Sequence, residues 1–217
     1  KLTIPECSSI KETLDIVNNN TFLIGNISTA PTEGTIFPDT YFFQRNDDKN
    51  IIISRMQRKM DKVVASIWRY DNNLLQSQGD LINLASLIEA EAMDNFEKYT
   101  ISSVFYNRIK KGMKLQSDPT ILYYKNLKSK IKIRKIFKKD LLLDNPWNTY
   151  TRKGLPLTAI CSPGIQALDA AMNPRNTSFL YFVADGVGGH RFSDNYKEHL
   201  ANIKLWKDKL RESNEIK

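Results

Sequence analysis

Asp80-Leu81-Ile82-Asn83-Leu84-Ala85-Ser86-Leu87-Ile88-Glu89-Ala90-Glu91 decides the reading of the fold, because it is apolar at helical spacing and closes on two carboxylates. Asp80 suits an N-cap, and Leu81, Leu84, Ala85, Ile88 and Ala92 form one apolar stripe, which predicts an inward-packed helix from Asp80 to about Met93. At about 100° per residue, Glu91 falls between Leu84 and Leu87 and within about 65° of the stripe's centre, whereas Glu89 projects near the opposite rim. A carboxylate among leucines loses hydration. Its charged form is disfavoured, and its pKa rises toward the range in which it donates a proton near neutrality. Periodicity alone leaves a second reading open, a helix-end carboxylate that reaches solvent or pairs with a nearby Lys or Arg.

On the C-terminal side, Ser102-Ser103-Val104-Phe105-Tyr106-Asn107-Arg108 heads a second helix that Gly112 ends, and Leu115-Gln116-Ser117-Asp118-Pro119-Thr120 reads as a polar loop stiffened by proline. A further helix runs from Ile165 to about Ala171. Asp185-Gly186 and Gly188-Gly189 mark a hairpin turn between Tyr181–Ala184 and Arg191–Ser193. Tyr196, Leu200, Ile203 and Leu210 then recur at helical spacing. On the N-terminal side, Ile52, Met56, Met60, Val63, Val64 and Ile67 predict a long amphipathic helix from Asn50 to about Tyr70. Glu33 to Phe43 mixes turn residues with aromatics, as suits an extended segment against a core or a groove wall. Pro5, Ser8 and Ser9 introduce a short helix through Leu14 and Val17 after a strand-like start. Together these elements predict an α+β fold, mostly helical, with short β-hairpins near the aromatic segment and the Asp185 turn.

Composition removes several classes of function. At 41% hydrophobic and 26% charged over 217 residues, the chain holds enough apolar material for one or two cores. No run approaches the roughly 18 apolar residues of a membrane span, and no signal-peptide order opens the chain. Because it begins at Lys1-Leu2-Thr3 without Met, a membrane anchor or export signal is expected to precede this segment. The net charge of +8 is concentrated in Lys125, Lys128, Lys130, Lys132, Arg134, Lys135, Lys138 and Lys139. Such a run meets a polyanion or forms a solvated surface. The second reading is preferred, with Ile131, Ile133 and Ile136 as its buried side and only Phe137 as an aromatic, which argues against nucleic acid. Cys7 and Cys161 are too few for a disulfide framework and lack metal spacing, so they read as buried free thiols. His190 and His199 alone make zinc chemistry improbable, and there is no Gly-rich phosphate loop and no Gly-x-Ser-x-Gly elbow. No metal or other cofactor is expected.

The order of motifs resembles a known family, the YceG-like (MltG) endolytic murein transglycosylases. The carrying residues are Leu84 to Glu91, Ser103-Val104-Phe105-Tyr106-Asn107-Arg108, and Gly112-Met113-Lys114-Leu115-Gln116-Ser117-Asp118-Pro119-Thr120. Further blocks are Pro146-Trp147-Asn148-Thr149-Tyr150, Gly154-Leu155-Pro156, Ser162-Pro163-Gly164, Tyr181 to Gly186 and Gly189-His190-Arg191-Phe192, with Glu33-Gly34 and Phe37 to Tyr41 as an aromatic entry motif. The resemblance covers nearly the whole chain. Three positions depart from the family's pattern: Cys7 stands where Gly is usual, Trp147 where Tyr is usual, and Ser162 where Asn or a similar polar residue is common.

The resemblance implies a lyase of peptidoglycan in which Glu91 is the catalytic acid and base and Glu89, Asn107 and Arg108 support it. Gln116, Ser117, Asp118, Thr120, Asn148, Tyr150 and His190 would line the substrate site, with no metal. Neutral Glu91 would protonate the oxygen between N-acetylmuramic acid and N-acetylglucosamine, the acetamido group would stabilise the cation, and the Glu91 carboxylate would then take the C6 hydroxyl proton. The expected product is a 1,6-anhydromuramyl end, formed without water, and the expected outcome is a limit on nascent strand length. Expected partners are glycan strands and cell-wall synthases. The expected location is the inner membrane through a single-pass anchor, with the catalytic domain in the periplasm and a LysM-like module elsewhere in the protein. Residues 1–35 are expected to form a small N-terminal lobe and residues 36–217 the catalytic domain. Two alternatives remain open, a glycan-binding module without turnover and a muramidase-type hydrolase.

Overall fold

The computed structural model describes residues 1–71, 74–92 and 94–215. In chain order its elements are β1 (Leu2–Thr3), α1 (Ile10–Asn18), β2 (Thr40–Tyr41), α2 (Lys49–Ile67), α3 (Gln78–Glu91), α4 (Asn95–Lys110), α5 (Asp118–Leu127), α6 (Lys138–Leu142), α7 (Ile165–Met172), β3 (Tyr181–Ala184), β4 (His190–Ser193) and α8 (Tyr196–Glu215). The α+β class follows from helices around two small antiparallel sheets, β1-β2 and β3-β4. Among the described residues no helix is long and apolar enough to cross a membrane.

Helix α3 is the centre of the molecule and packs against α2, α4, α5 and α7. Its N-cap is Ser77 rather than Asp80. The Ser77 hydroxyl accepts from the Asp80 N–H at 3.1 Å, which leaves Asp80 in the first turn. The predicted end near Met93 lies outside the described residues, and the helix closes at Glu91. Its burial is not a stripe. Leu81, Asn83, Leu84, Ala85, Ser86, Leu87, Ile88 and Glu89 are all buried, because neighbours surround the helix instead of lying on one side. Glu89 is therefore inside the protein and not at an exposed rim. The large apolar core built on α3 includes Leu84, Leu87, Ile88, Ile101, Phe105 and Leu168. A second cluster joins Leu2, Ile4, Val17 and Leu23 to Ile36, Tyr41, Ile52 and Met56, so it draws on both sides of residue 35 and rests on α2.

Three local expectations are corrected. The aromatic segment is not a hairpin, since Thr40–Tyr41 pairs with the distant Leu2–Thr3 in the register Leu2↔Tyr41 and Thr3↔Thr40. Asp118-Pro119 does not continue a loop but opens α5, where proline in the first helical turn costs no hydrogen bond. Ile131 is 77% exposed, so the basic run has no continuous buried side. Two of its cations are paired, Lys125 with Asp140 within the run and Lys132 with the distant Glu12 at the start of α1. The Asp185 turn is as predicted: it joins β3 to β4, with Gly186 and Gly188 at positive φ and the Asp185 carboxylate accepting from the Val187 and Gly189 N–H groups.

Cys7 and Cys161 are not free thiols but a disulfide. Sequence spacing says nothing of their proximity. It comes from two backbone hydrogen bonds, Cys7 N–H to the Ser162 carbonyl and Ser162 N–H to the Ser8 carbonyl, both 2.9 Å, which lay the segments side by side. Cys7 holds φ 55°, a left-handed conformation that accounts for a position suited to Gly. The bridge spans 154 residues of chain, and the loop-entropy argument gives it about 4–5 kcal/mol. Reduction is expected to lower the urea midpoint of unfolding correspondingly. Coincident unfolding curves with and without reductant would show that the bridge contributes nothing.

Candidate active site

Glu91 sits at the last residue of α3, a half-buried position where the negative end of the helix dipole already disfavours an anion. Burial pushes its carboxyl up to about 7, and the nearby Asp118 carboxylate adds to the rise. The Ser117 hydroxyl donates to Glu91 Oε1 at 2.6 Å and pulls the other way, as do the basic side chains of His190 and Arg108. Near neutral pH the group thus divides between a carboxylic acid and a carboxylate. That is the condition for giving and then taking one proton.

Ser117 reveals how the site is built. It occupies the N-cap of α5 but makes no capping hydrogen bond with its side chain, since its hydroxyl is committed to Glu91. Its placement comes from Thr149, whose hydroxyl accepts from the Ser117 N–H at 2.9 Å and whose carbonyl accepts from the Gln116 N–H at 3.1 Å. Gln116 holds φ 52°, a left-handed conformation uncommon outside Gly and Asn. Arg108 steadies this bend. Its Nη1 donates to the carbonyls of Lys114 and Leu115 at 3.2 and 2.8 Å, its Nε donates to the Leu180 carbonyl at 2.6 Å, and it lies over the Tyr181 ring. Ser117→Ala removes a hydrogen bond to the charged form without removing a helix cap. The Glu91 titration, followed by carboxyl NMR, is therefore expected to move to higher pH, and a downward move would contradict the role given to this hydroxyl.

The remaining residues divide by exposure. Gln116 and Asp118 are exposed and Tyr150 is half-buried, with its hydroxyl donating to Asp118 Oδ1; burial and that bond together raise the phenol's pKa. Thr120 and Asn148 have 0% exposure and stand behind this surface. The Thr120 hydroxyl donates to the Ser117 carbonyl. The Asn148 amide donates to the carbonyls of Leu141 and Leu143, and its oxygen accepts from the Tyr150 N–H. Asn107 donates to the carbonyls of Thr177 and Phe179 and so ties α4 to the chain leading into β3.

Glu89 is in different surroundings from Glu91. It accepts from Lys98 Nζ at 2.6 Å and from the Gly164 N–H at 2.9 Å, an ion pair that links α3, α4 and the start of α7. Lys98 has only 3% exposure and also lies 3.8 Å from Glu6. His190 is held by Glu97. One carboxylate oxygen accepts from the His190 N–H at 2.7 Å, and the other is 2.7 Å from Nδ1. Sequence reasoning did not single out Lys98 or Glu97, because each lies far along the chain from one of its partners. Thr149 was within a quoted block, but nothing there marked it as the support of Ser117.

Fold and site together define an α+β protein with one protonatable carboxyl at a helix end, bordered by a hydroxyl, a carboxylate and basic side chains. The chain belongs to the YceG-like family, whose model matches residues 1–205. It is 40% identical over 190 residues to the endolytic murein transglycosylase of Bacillus subtilis (strain 168), an alignment covering 87% of this chain and 51% of that protein. It is 31% identical over 173 residues to the endolytic murein transglycosylase of Streptococcus pneumoniae serotype 2 (strain D39), covering 79% and 31%. The chain thus spans about half or less of the length of these relatives. The crystal structure of a yceG-like protein of Listeria monocytogenes matches with a TM-score of 0.76 at 30% identity, over 93% of this chain and 75% of that one.

Proposed function

We propose that this protein is an endolytic lytic transglycosylase of peptidoglycan, with Glu91 as its acid and base. The observation that carries the reading is the carboxyl of Glu91, pushed up to about 7 by burial in a fold whose relatives are named endolytic murein transglycosylases. Glu91 in its acid form donates to the oxygen joining N-acetylmuramic acid to N-acetylglucosamine. The bond from muramic C1 to that oxygen breaks, and the oxygen leaves as the 4-hydroxyl. The acetamido carbonyl shares the positive charge at C1. The C6 hydroxyl oxygen then attacks C1 while its proton returns to Glu91. One proton goes out and one comes back, so a 1,6-anhydro end forms without water and the acid is regenerated.

In this reading Asp118 and Tyr150 meet the sugar directly, with Gln116 beside them and His190, oriented by Glu97, completing the site, while Ser117, expected from the sequence to touch substrate, is only 1% exposed and acts through its hydroxyl on Glu91. Arg108, Asn107, Thr120 and Asn148 hold that surface in place, and Glu89 fixes α3. Cleavage within strands would limit their length during synthesis, next to cell-wall synthases. The disulfide Cys7–Cys161 supports an extracytoplasmic site of action, since such bridges persist in oxidising compartments. We place the catalytic domain in the periplasm, tethered to the inner membrane by a segment outside this sequence.

One observation favours a muramidase instead. Asp118 is exposed and acts electrostatically on Glu91, and a second carboxylate can activate water. Mass spectrometry of purified glycan strands after incubation separates the two reactions. Anhydromuramyl ends are expected, reducing muramic acid ends would make the protein a hydrolase, and binding without new ends would make it a glycan-binding module.

A further inference from the structure

A cleft of about 520 Å³ lies between α2 and β2, lined by Thr40, Tyr41, Phe42 and four cations, Arg55, Arg58, Lys59 and Lys62. The cations occupy positions i, i+3, i+4 and i+7 of α2, which places them on one helix face over about 10 Å. The opposite face of the same helix buries Ile52, Ile53, Met56, Met60 and Val64, so the charged face is fixed by the core behind it.

The four cations do not serve alike. Lys59 pairs with Asp39 and lies over the Phe37 and Tyr41 rings, which pins α2 to the sheet wall. Tyr41 is itself rigid, buried with its hydroxyl donating to the Phe37 carbonyl at 2.6 Å. Arg55, Arg58 and Lys62 enter no ion pair among the described residues, so the cleft presents three uncompensated positive charges. In the basic run 125–139 only Lys125 and Lys132 have carboxylate partners among the described residues, but the cations there are spread over the end of α5, the short α6 and the chain between them, whereas those of the cleft share one face of a single helix. Phe42 is 72% exposed at the rim and offers an apolar surface next to the charges.

The geometry points to a binding site for a phosphate-bearing ligand in this cleft, with Arg55, Arg58 and Lys62 on the phosphate and Phe42 against an apolar neighbour. Two guanidinium forks and an ammonium suit a multiply charged group with several acceptor oxygens, whereas a single carboxylate would leave most of the charge unmatched. A free phosphate compound and a lipid headgroup both present this chemistry. The inference does not rest on the glycan reading, since none of these residues belongs to the Glu91 site.

The test uses two probes, inorganic pyrophosphate by isothermal titration calorimetry and vesicles of phosphatidylcholine with or without phosphatidylglycerol by co-sedimentation. Each is applied to the wild type, to Arg55→Gln/Arg58→Gln/Lys62→Gln, and to Lys130→Gln/Lys135→Gln/Lys138→Gln, which removes the same charge elsewhere. Glycan cleavage should be unchanged in both triples. At least about a tenfold loss of pyrophosphate binding is expected in the cleft triple and little change in the control, with weakening as salt is raised. If anionic vesicles instead bind in a cleft-dependent way, reduced further by Phe42→Ser, the phosphate is a lipid headgroup. Arg58→Glu alone replaces the triple should the latter not fold. Failure of both probes to bind wild type, or equal losses in the two triples, overturns the proposal.

Discussion

Glu91→Gln is expected to lower glycan cleavage by about three orders of magnitude or more, with strand binding retained, because the amide keeps the shape but has no proton to give or take. The same change should stabilise the protein at neutral and alkaline pH. Burial pushes the folded Glu91 up to about 7 against about 4.5 for a solvated glutamate in the unfolded chain, so the folded state binds more protons than the unfolded state between these values. Its contribution to stability is therefore fully present below about 4.5 and is lost as pH rises through 7. The melting temperature of Glu91→Gln should exceed that of wild type at pH 8, and the difference should shrink below pH 5. A variant that is inactive and less stable at every pH would instead make Glu91 a structural residue.

Lys98→Met is the second large effect, and it falls on stability. Lys98 and Glu89 are both buried, and truncating one partner leaves the other as an uncompensated charge, a cost of about 3–5 kcal/mol. Chemical denaturation should show that loss. Glu89→Gln combined with Lys98→Met should lose less than Lys98→Met alone, because no buried carboxylate is then stranded. Equal losses would mean that the pair is not coupled and that Lys98 matters through packing only.

These two glutamates show what sequence could and could not convey. Helical spacing was enough to place α3 in the core, and the order of motif blocks was enough to indicate the family. The wheel's distinction between a buried Glu91 and a rim-facing Glu89 did not survive, because periodicity locates a face only when one side of a helix meets solvent. Helix α3 has neighbours all round, so Glu89 is buried and Glu91, at the helix end, is only half-buried, the reverse of what the wheel predicts. What separates them is their partners, Lys98 and the Gly164 N–H for one and the Ser117 hydroxyl for the other. Partners that lie far apart in the chain leave no local trace. The same holds for Cys7 with Cys161, Glu97 with His190 and β1 with β2. The opening of α5 was legible in principle, since proline next to a Ser-Asp pair is a helix-start signal as well as a turn signal.

The central claim is that Glu91 holds a proton near neutrality, and titration of its side-chain carboxyl by 13C NMR tests it directly. Glu33 is also raised to about 7, so the Glu91 resonance is assigned by its disappearance in Glu91→Gln. A midpoint near 7 is predicted, and a midpoint in the ordinary range near 4.5 would contradict the account.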